Sequence, residues 1–236
     1  MKWLHTFVYT TTLPRSQAVT NIFMKRLVTT LCSLLACLSL VAQTNSDNTI
    51  KFLGIPVDGS KEQMIKELEN KGFKYNPQFE NLSGTFNGID SNIYISTNNG
   101  KVDRVYVASN QVEDEASIRI SYNNLLYQFK NNDKYFTLDE PQPIPDDENI
   151  SYEMLVHNKR YDAPFYLKVN FTEDEIKEIE EKTSTMAEDE ANLYLAKKTL
   201  ENVSGQVWFT IHEHYGKYFI GIYYDNLRNK ANGEDL

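Results

Sequence analysis

The stretch LSGTFNGIDSNIYISTNNGKVDRVYVA, residues 82–108, decides the predicted fold because two turn signals divide it into three strands. The first signal is Asn87-Gly88, a dipeptide typical of a two-residue hairpin turn. This turn would place Leu82 directly opposite Ile93 on the neighbouring strand. The stretch therefore predicts a hairpin at its start.

The second turn signal lies at residues 98–100, Asn-Asn-Gly. We interpret it as a three-residue loop whose glycine adopts the left-handed conformation. This loop would pair Thr97 with Lys101 and, further from the turn, Ile93 with Val105. A third strand is thus added to the predicted hairpin.

Both turns, although chosen independently, produce one amphipathic alternation. The apolar face collects Leu82, Phe86, Ile89, Ile93, Ile95, Val105 and Val107. The opposite face collects Ser83, Thr85, Asp90, Asn92, Tyr94, Arg104 and Tyr106. The pattern predicts a half-buried antiparallel meander, and we expect its tyrosines to form stabilising cross-strand pairs; ligand binding is the alternative role.

Helical periodicity marks three further segments. The predicted helices are residues 60–73, 114–133 and 191–205. The first has the clearest ends, since Ser60 and Gln63 form a capping box and Gly72 is free to become left-handed. Residues 172–190 hold nine acidic residues and two lysines, which predicts a solvated helix or a mobile loop.

Two more hairpins complete the predicted fold. One would turn at His157–Arg160, and Pro164 would confine its second strand to a sheet edge or a bulge. The other is formed by residues 207–226. The element order predicts the α+β class, with antiparallel meanders and helices packed on one face, and its recurrence suggests a duplicated helix-plus-meander unit.

The N-terminal region has the form of an export signal. Met24 opens MKRLVTTLCSLLACLSLVAQ, in which two basic residues precede an apolar run that is too short to span a membrane. We therefore interpret residues 1–23 as an upstream extension before the true start, and residues 24–42 as a signal peptide. A matrix-targeting leader is disfavoured because its arginine-rich amphipathic pattern is missing.

The mature region would be residues 43–236, as one domain or as two small units at about 49–138 and 139–236. The leader holds four basic and no acidic residues, so the 24 basic and 33 acidic residues of the chain become 20 and 33, a net charge of −13. Such a surface disfavours nucleic-acid binding. Both cysteines also lie in the leader, which excludes a disulfide, a thiol nucleophile and a thiolate metal site from the mature region.

The predicted localisation is the periplasm or the cell exterior, and no transmembrane segment is expected in the mature region. Cys37 leaves one alternative open, because LLAC resembles the acylation signal of an outer-membrane lipoprotein. The residues after Cys37 are still apolar, however, and this favours cleavage near Ala42 and Gln43.

His212 and His214 stand one residue apart and could share one face of a strand, as the ligands of some zinc or iron sites do. A two-residue turn at Tyr215-Gly216 would keep both on the strand but would force the tyrosine to a positive φ. We therefore favour a three-residue loop, His214-Tyr215-Gly216, in which His214 leaves the face. A metal-dependent hydrolase is accordingly the weakest functional hypothesis.

Trp208 shares a strand face with His212, and either Tyr223 or Ile222 would lie opposite it. An aromatic strand face of this kind can stack a sugar ring or bind a partner. It can equally form the seat of the third helix, and this core position is the one that we favour for Trp208.

The search for catalytic motifs gives no nucleophile elbow, phosphate-binding loop, dinucleotide fingerprint or metalloprotease helix. No cofactor is therefore predicted, and an enzyme is disfavoured. We expect a non-catalytic protein that binds another macromolecule through a sheet face or edge. The alternative is a glycan-binding module that uses Trp208 and nearby tyrosines.

Four segments carry a resemblance that covers nearly the whole mature region. They are FLGIPVDGSKEQMIKELENKGF (52–73), VHNKRYDAPF (156–165), HYGKYFIGIYYDN (214–226) and NKANGEDL (229–236). They resemble a family of secreted proteins from gut bacteria of the Bacteroides type, a family without an assigned function. The resemblance implies export and an α+β fold, and it transfers no site residues.

We predict that the native protein begins near Gln43, because the apolar run before it would otherwise be an exposed aggregation site on an acidic protein. Intact mass spectrometry of protein taken from its own cells checks this. A mass that retains residues 24–42, or recovery from the cytosol, contradicts the prediction. A lipid-modified Cys37 would instead place the protein on a membrane.

Overall fold

The computed structural model describes residues 48–230, so Met24, Cys37 and the rest of the predicted leader lie outside the described part. The helices within it are α1 (Lys61–Asn70), α2 (Glu115–Lys130), α3 (Ile150–Val156), α4 (Glu173–Thr183) and α5 (Glu188–Asn202). The strands are β1 (Lys51–Phe52), β2 (Ile55–Pro56), β3 (Lys74–Asn76), β4 (Asn81–Phe86), β5 (Ile89–Asn98), β6 (Lys101–Ser109), β7 (Tyr135–Phe136), β8 (Asp162–Leu167), β9 (Gly205–His214) and β10 (Lys217–Asn226). The predicted α+β class is confirmed.

Eight of the strands form one antiparallel sheet in the order β3-β4-β5-β6-β10-β9-β8-β7. This order consists of two four-strand meanders, one from each half of the chain, that meet where β6 pairs with β10. Helix α1 precedes the first meander and α2 precedes the second. The topology thus reads the same from either edge of the sheet.

One face of the sheet, which we call the helix face, carries the apolar core. Met64 and Leu68 of α1 are buried, and so are Ile118, Tyr122 and Leu126 of α2. The ring of Tyr122 lies 5.1 Å from that of Phe209 on β9, measured between centroids. The β1–β2 hairpin joins the same core, since the ring of Phe52 lies 5.0 Å from that of Tyr224 on β10.

The register of the first meander is partly as predicted. Leu82 lies opposite Ile93 across the two-residue turn Asn87-Gly88, as the sequence predicts. The three-residue loop predicted next is wrong: Asn99-Gly100 is also a two-residue turn, in which both residues have a positive φ, and Asn98 pairs with Lys101. Asparagine tolerates the left-handed conformation well, so this turn needs no third residue.

A β-bulge between Ser96 and Thr97 then shifts the register by one residue. Because the shorter turn and the bulge each shift the pairing by one residue, Ile93 lies opposite Val107, whereas the prediction placed it opposite Val105. The observed and predicted pairings differ by two residues, so every side chain keeps its predicted face. Ile89, at the end of its hairpin, is the one residue of the predicted apolar face that is exposed.

The three-residue loop predicted at His214-Tyr215-Gly216 is also wrong. Tyr215 and Gly216 form a two-residue turn with φ values of 51° and 73°, and His214 stays on β9 opposite Lys217. This register places Phe209 opposite Ile222, so that both are buried in the core. A three-residue loop would place Gly221 there instead, and the lost burial outweighs a left-handed tyrosine that costs roughly 1–2 kcal/mol.

The segment predicted as a hairpin around His157–Arg160 differs in its first half. Asn149 caps a helix there, because its side chain accepts a hydrogen bond from the backbone N–H of Tyr152. Only β8 follows as a strand. Pro164 pairs with Trp208 of β9 on one side, whereas on the other side β7 pairs only with Tyr166 and Leu167. Pro164 therefore lies at an edge of the sheet, as predicted.

The acidic segment forms a helix, and a capping box between Thr172 and Glu175 starts it. It precedes α5, which starts three residues before the predicted third helix and ends at Asn202. Neither α4 nor α5 has a buried residue. The solvated-helix alternative is therefore the one that the structure confirms.

We predict that Tyr215→Asn stabilises the protein, because asparagine adopts the left-handed conformation at a lower cost than tyrosine. Tyr215 is 92% exposed, so little packing is lost. The free energy of unfolding should rise by about 1 kcal/mol in chemical denaturation. The reciprocal variant Asn99→Tyr, at the matching turn between β5 and β6, should lower it by a similar amount; equal signs for the two variants would contradict the argument.

Candidate functional site

The face of the sheet opposite the helix face carries a row of four aromatic side chains, one from each of four adjacent strands. We call this row the aromatic ladder: Tyr94 (β5), Tyr106 (β6), Tyr223 (β10) and Trp208 (β9). Each is paired directly with the next in the strand register. Its side of the sheet is called the ladder face below.

The rings of the ladder stack on one another. Between ring centroids, Tyr94 is 5.7 Å from Tyr106, and Tyr106 is 4.4 Å from Tyr223. Tyr223 lies 3.9 Å from Trp208, with only 5° between the two ring planes. Both faces of the Tyr223 ring are therefore covered by neighbours.

Asp225 fixes one side of the ladder. Its carboxylate is buried and accepts two hydrogen bonds from Arg104, of 2.5 Å from Nε and 2.8 Å from an Nη atom. Gln206 donates to the same carboxylate at 3.0 Å, and the indole N–H of Trp208 donates at 3.1 Å. Burial opposes ionisation of Asp225, but these bonds outweigh it and hold the pKa of the carboxyl below its ordinary value.

Arg104 links this ion pair to the ladder. Its guanidinium carbon lies 5.3 Å from the ring centroid of Tyr223 and 5.7 Å from that of Trp208, within cation–π range. The hydrogen bonds to Asp225 raise the pKa of Arg104 above its ordinary value. The side chain is therefore a fixed cation that holds two rings and a buried carboxylate in one arrangement.

His212 occupies the other side of the ladder. Its Nε2 atom lies 3.0 Å from the hydroxyl oxygen of Tyr223, and its ring stacks on Phe219 at 5.0 Å. Burial lowers the pKa of His212 and the nearby Arg160 lowers it further, so the imidazole is neutral at pH 7. Gly221 leaves room for this ring, because a Cβ atom at position 221 would lie 2.8 Å from Nε2 of His212 and would displace it.

The structure brings three sequence-predicted site residues together, namely Trp208, His212 and Tyr223. The favoured core position of Trp208 is wrong: it is half-buried and lies on the face opposite Val207 and Phe209. Tyr223 on the next strand and the guanidinium group of Arg104 cover it instead of a helix.

The predicted histidine pair does stay on one strand, but His214 lies at its exposed end with its ring against Tyr215. Within residues 48–230, no group of three or more histidine, cysteine, aspartate or glutamate side chains could hold a metal ion.

Sequence analysis did not identify the Arg104–Asp225 pair. A signal for it existed, since Asp225 follows the otherwise uncharged strand FIGIYY and Arg104 lies two residues before a ladder tyrosine. The sequence does not show, however, that β6 and β10 are neighbours.

Comparison of the chain with protein-family models, with curated protein sequences and with solved structures gives no match. Among the helices that the structure describes, none is both long enough and apolar enough to cross a membrane.

We predict that Asp225→Asn lowers the free energy of unfolding by about 2–3 kcal/mol at pH 7, because it leaves Arg104 without its buried counter-charge. Since the pKa of Asp225 is depressed in the folded state, its contribution is complete above the ordinary pKa of about 4 and is lost as the pH falls through the folded value. The difference between the two proteins should therefore shrink towards pH 3 in chemical denaturation.

A matched control is Arg160→Gln, which removes the ion pair between Arg160 and Asp162. The side chain of Arg160 is 69% exposed and that of Asp162 is 36% exposed. An exposed pair contributes less than about 1 kcal/mol, so this variant should be nearly neutral. If Asp225→Asn proves equally neutral, the ladder does not depend on the buried ion pair.

Proposed function

We propose that this is an exported, non-catalytic protein that binds another protein through the ladder face. The observation that carries the proposal is the ladder itself, in which an arginine and four aromatic residues form a fixed row on the sheet. Tyrosine, tryptophan and arginine are the residues that contribute most to binding at protein interfaces. The acidic charge of the mature region favours a neutral or basic partner.

Preorganisation supports this role. Stacking and hydrogen bonds already restrict Tyr223, Trp208 and Arg104, so little conformational entropy remains to be lost when a partner binds. Burial raises the pKa of Tyr106 and Tyr223. Both hydroxyl groups keep their protons at pH 7, and that of Tyr223 is already held by Nε2 of His212 at 3.0 Å.

The sheet edges are less suited to binding than the face. On one side β7 has only two residues, and the part of β8 beyond it contains Pro164, which cannot donate a backbone hydrogen bond. On the other side the edge strand β3 has three residues. Short edges and proline both hinder the addition of a strand from a partner.

Glycan binding is the weaker alternative. A sugar stacks on an open ring face, whereas Tyr223 has both faces covered. The outer faces of the two end residues remain for a sugar: Tyr94, which is 37% exposed, and Trp208, which is half-buried and pairs with Pro164 in the strand register. A metal-dependent hydrolase has no support from the residues around His212 and His214.

Site-specific photo-crosslinking tests the proposal. Benzoylphenylalanine is introduced at Tyr94 on the ladder face or at Tyr127 on α2, a control that is 53% exposed, and the native cells are irradiated. We expect a discrete protein adduct from position 94, and much less of it from position 127. Equal adducts at both positions, or none at position 94, would contradict the proposal.

The fluorescence of Trp208 tests the glycan-binding alternative. Trp208 would be the sole tryptophan of the mature region, since Trp3 lies in the predicted extension. A saturable change in its fluorescence on addition of a polysaccharide, without a crosslinked protein, would favour the glycan-binding hypothesis.

A further inference from the structure

A groove lies on the helix face, where the helices leave part of the sheet uncovered. Helix α1 packs on β3 and β5, whereas α2 packs on β10 and β7. Two adjoining cavities of about 230 and 170 Å³ lie beside α2 and share Phe86, Leu125 and Ile222 in their linings. The groove is therefore on the opposite side of the sheet from the ladder.

The larger cavity has an apolar interior and a polar rim. Val107 and Ile222 of the sheet are buried beneath it, and Leu125 of α2 forms one wall. Asn124 and Gln128, one turn apart on α2, are exposed and line the rim. An apolar concavity with a few polar groups at its mouth is the usual form of a small-molecule site.

Glu113 is the only charged residue among those that line the two cavities. Two backbone hydrogen bonds with Tyr218, of 2.7 and 2.9 Å, hold its main chain in place. The hydroxyl group of Ser121 donates to one carboxylate oxygen at 2.8 Å. A carboxylate is thus fixed beside an apolar interior, without a cationic residue in the lining to neutralise it.

We propose that this groove binds a small amine that carries an apolar group. The apolar group would occupy the space over Val107 and Ile222, and the ammonium group would lie beside Glu113. An acid of the same shape would be repelled by the carboxylate, whereas an alcohol would keep the apolar contacts and one hydrogen bond to the carboxylate but would lack the attraction of a positive charge. This site is separate from the protein-binding role proposed for the ladder face.

Three probes of the same shape test the charge preference: 4-phenylbutylamine, 4-phenylbutan-1-ol and 4-phenylbutyrate, titrated at pH 7 into the uniformly ¹⁵N-labelled protein. We expect the amide signals of residues around the groove to shift, with the amine bound about two- to fivefold more tightly than the alcohol and the acid weakest. Glu113→Gln should abolish the advantage of the amine and change the affinity for the alcohol much less, because the amide oxygen of glutamine can still accept a hydrogen bond.

A second pair of variants locates the site. Asn124→Trp places a large ring at the mouth of the groove and should weaken the binding of both the amine and the alcohol at least severalfold. Tyr127→Trp, on the same helix but outside the cavity lining, should change neither affinity. Circular dichroism and the thermal midpoint establish that each variant is folded.

Three results would overturn the proposal. One is no saturable shift with any probe, and another is an acid that binds as tightly as the amine. The third is an Asn124→Trp variant that is folded and binds the amine as the parent protein does.

Discussion

The antiparallel pairing of β6 with β10 is the constraint on which the rest of the structure depends, because it joins the two meanders into one sheet. Its partners are distant in the sequence, since Arg104 and Asp225 are 121 residues apart, and closing such a loop costs chain entropy. Contacts on both faces offset that cost. Val107 lies opposite Ile222 in the core, and the ion pair lies on the ladder face.

The demand that apolar residues face apolar residues explains which sequence predictions succeed. It fixes the faces of the first meander even though the predicted loop at residues 98–100 is wrong, because the bulge beside Thr97 restores the alternation. It also explains the error at Tyr215. Local turn preference favours a three-residue loop, but the two-residue turn is the one that places Ile222 opposite Phe209 in the core. Burial over a whole strand exceeds the conformational cost of one residue.

The candidate site could be predicted only within each strand. Alternation alone places Trp208 and His212 on one strand face, and the two possible turns leave Tyr223 or Ile222 opposite Trp208. The ladder, however, needs the order of four strands, and no local pattern shows that β6 lies beside β10. The same limit hides the partner of Arg104 and the groove beside α2, because both arise from elements that are distant in the chain.

The residues beside the ladder are asymmetric although the strand order of the sheet is symmetric. In the strand order Tyr106 corresponds to Tyr223, and Tyr94 corresponds to Trp208, so the row of rings is nearly symmetric about the β6–β10 boundary. The strand positions on either side of the row are not symmetric. Arg104 and Asp225 fill one side, whereas the corresponding pair on the other side is Ala108 and Gly221, where His212 lies over the glycine. A symmetric row would accept a partner in two orientations, and the buried ion pair removes that equivalence.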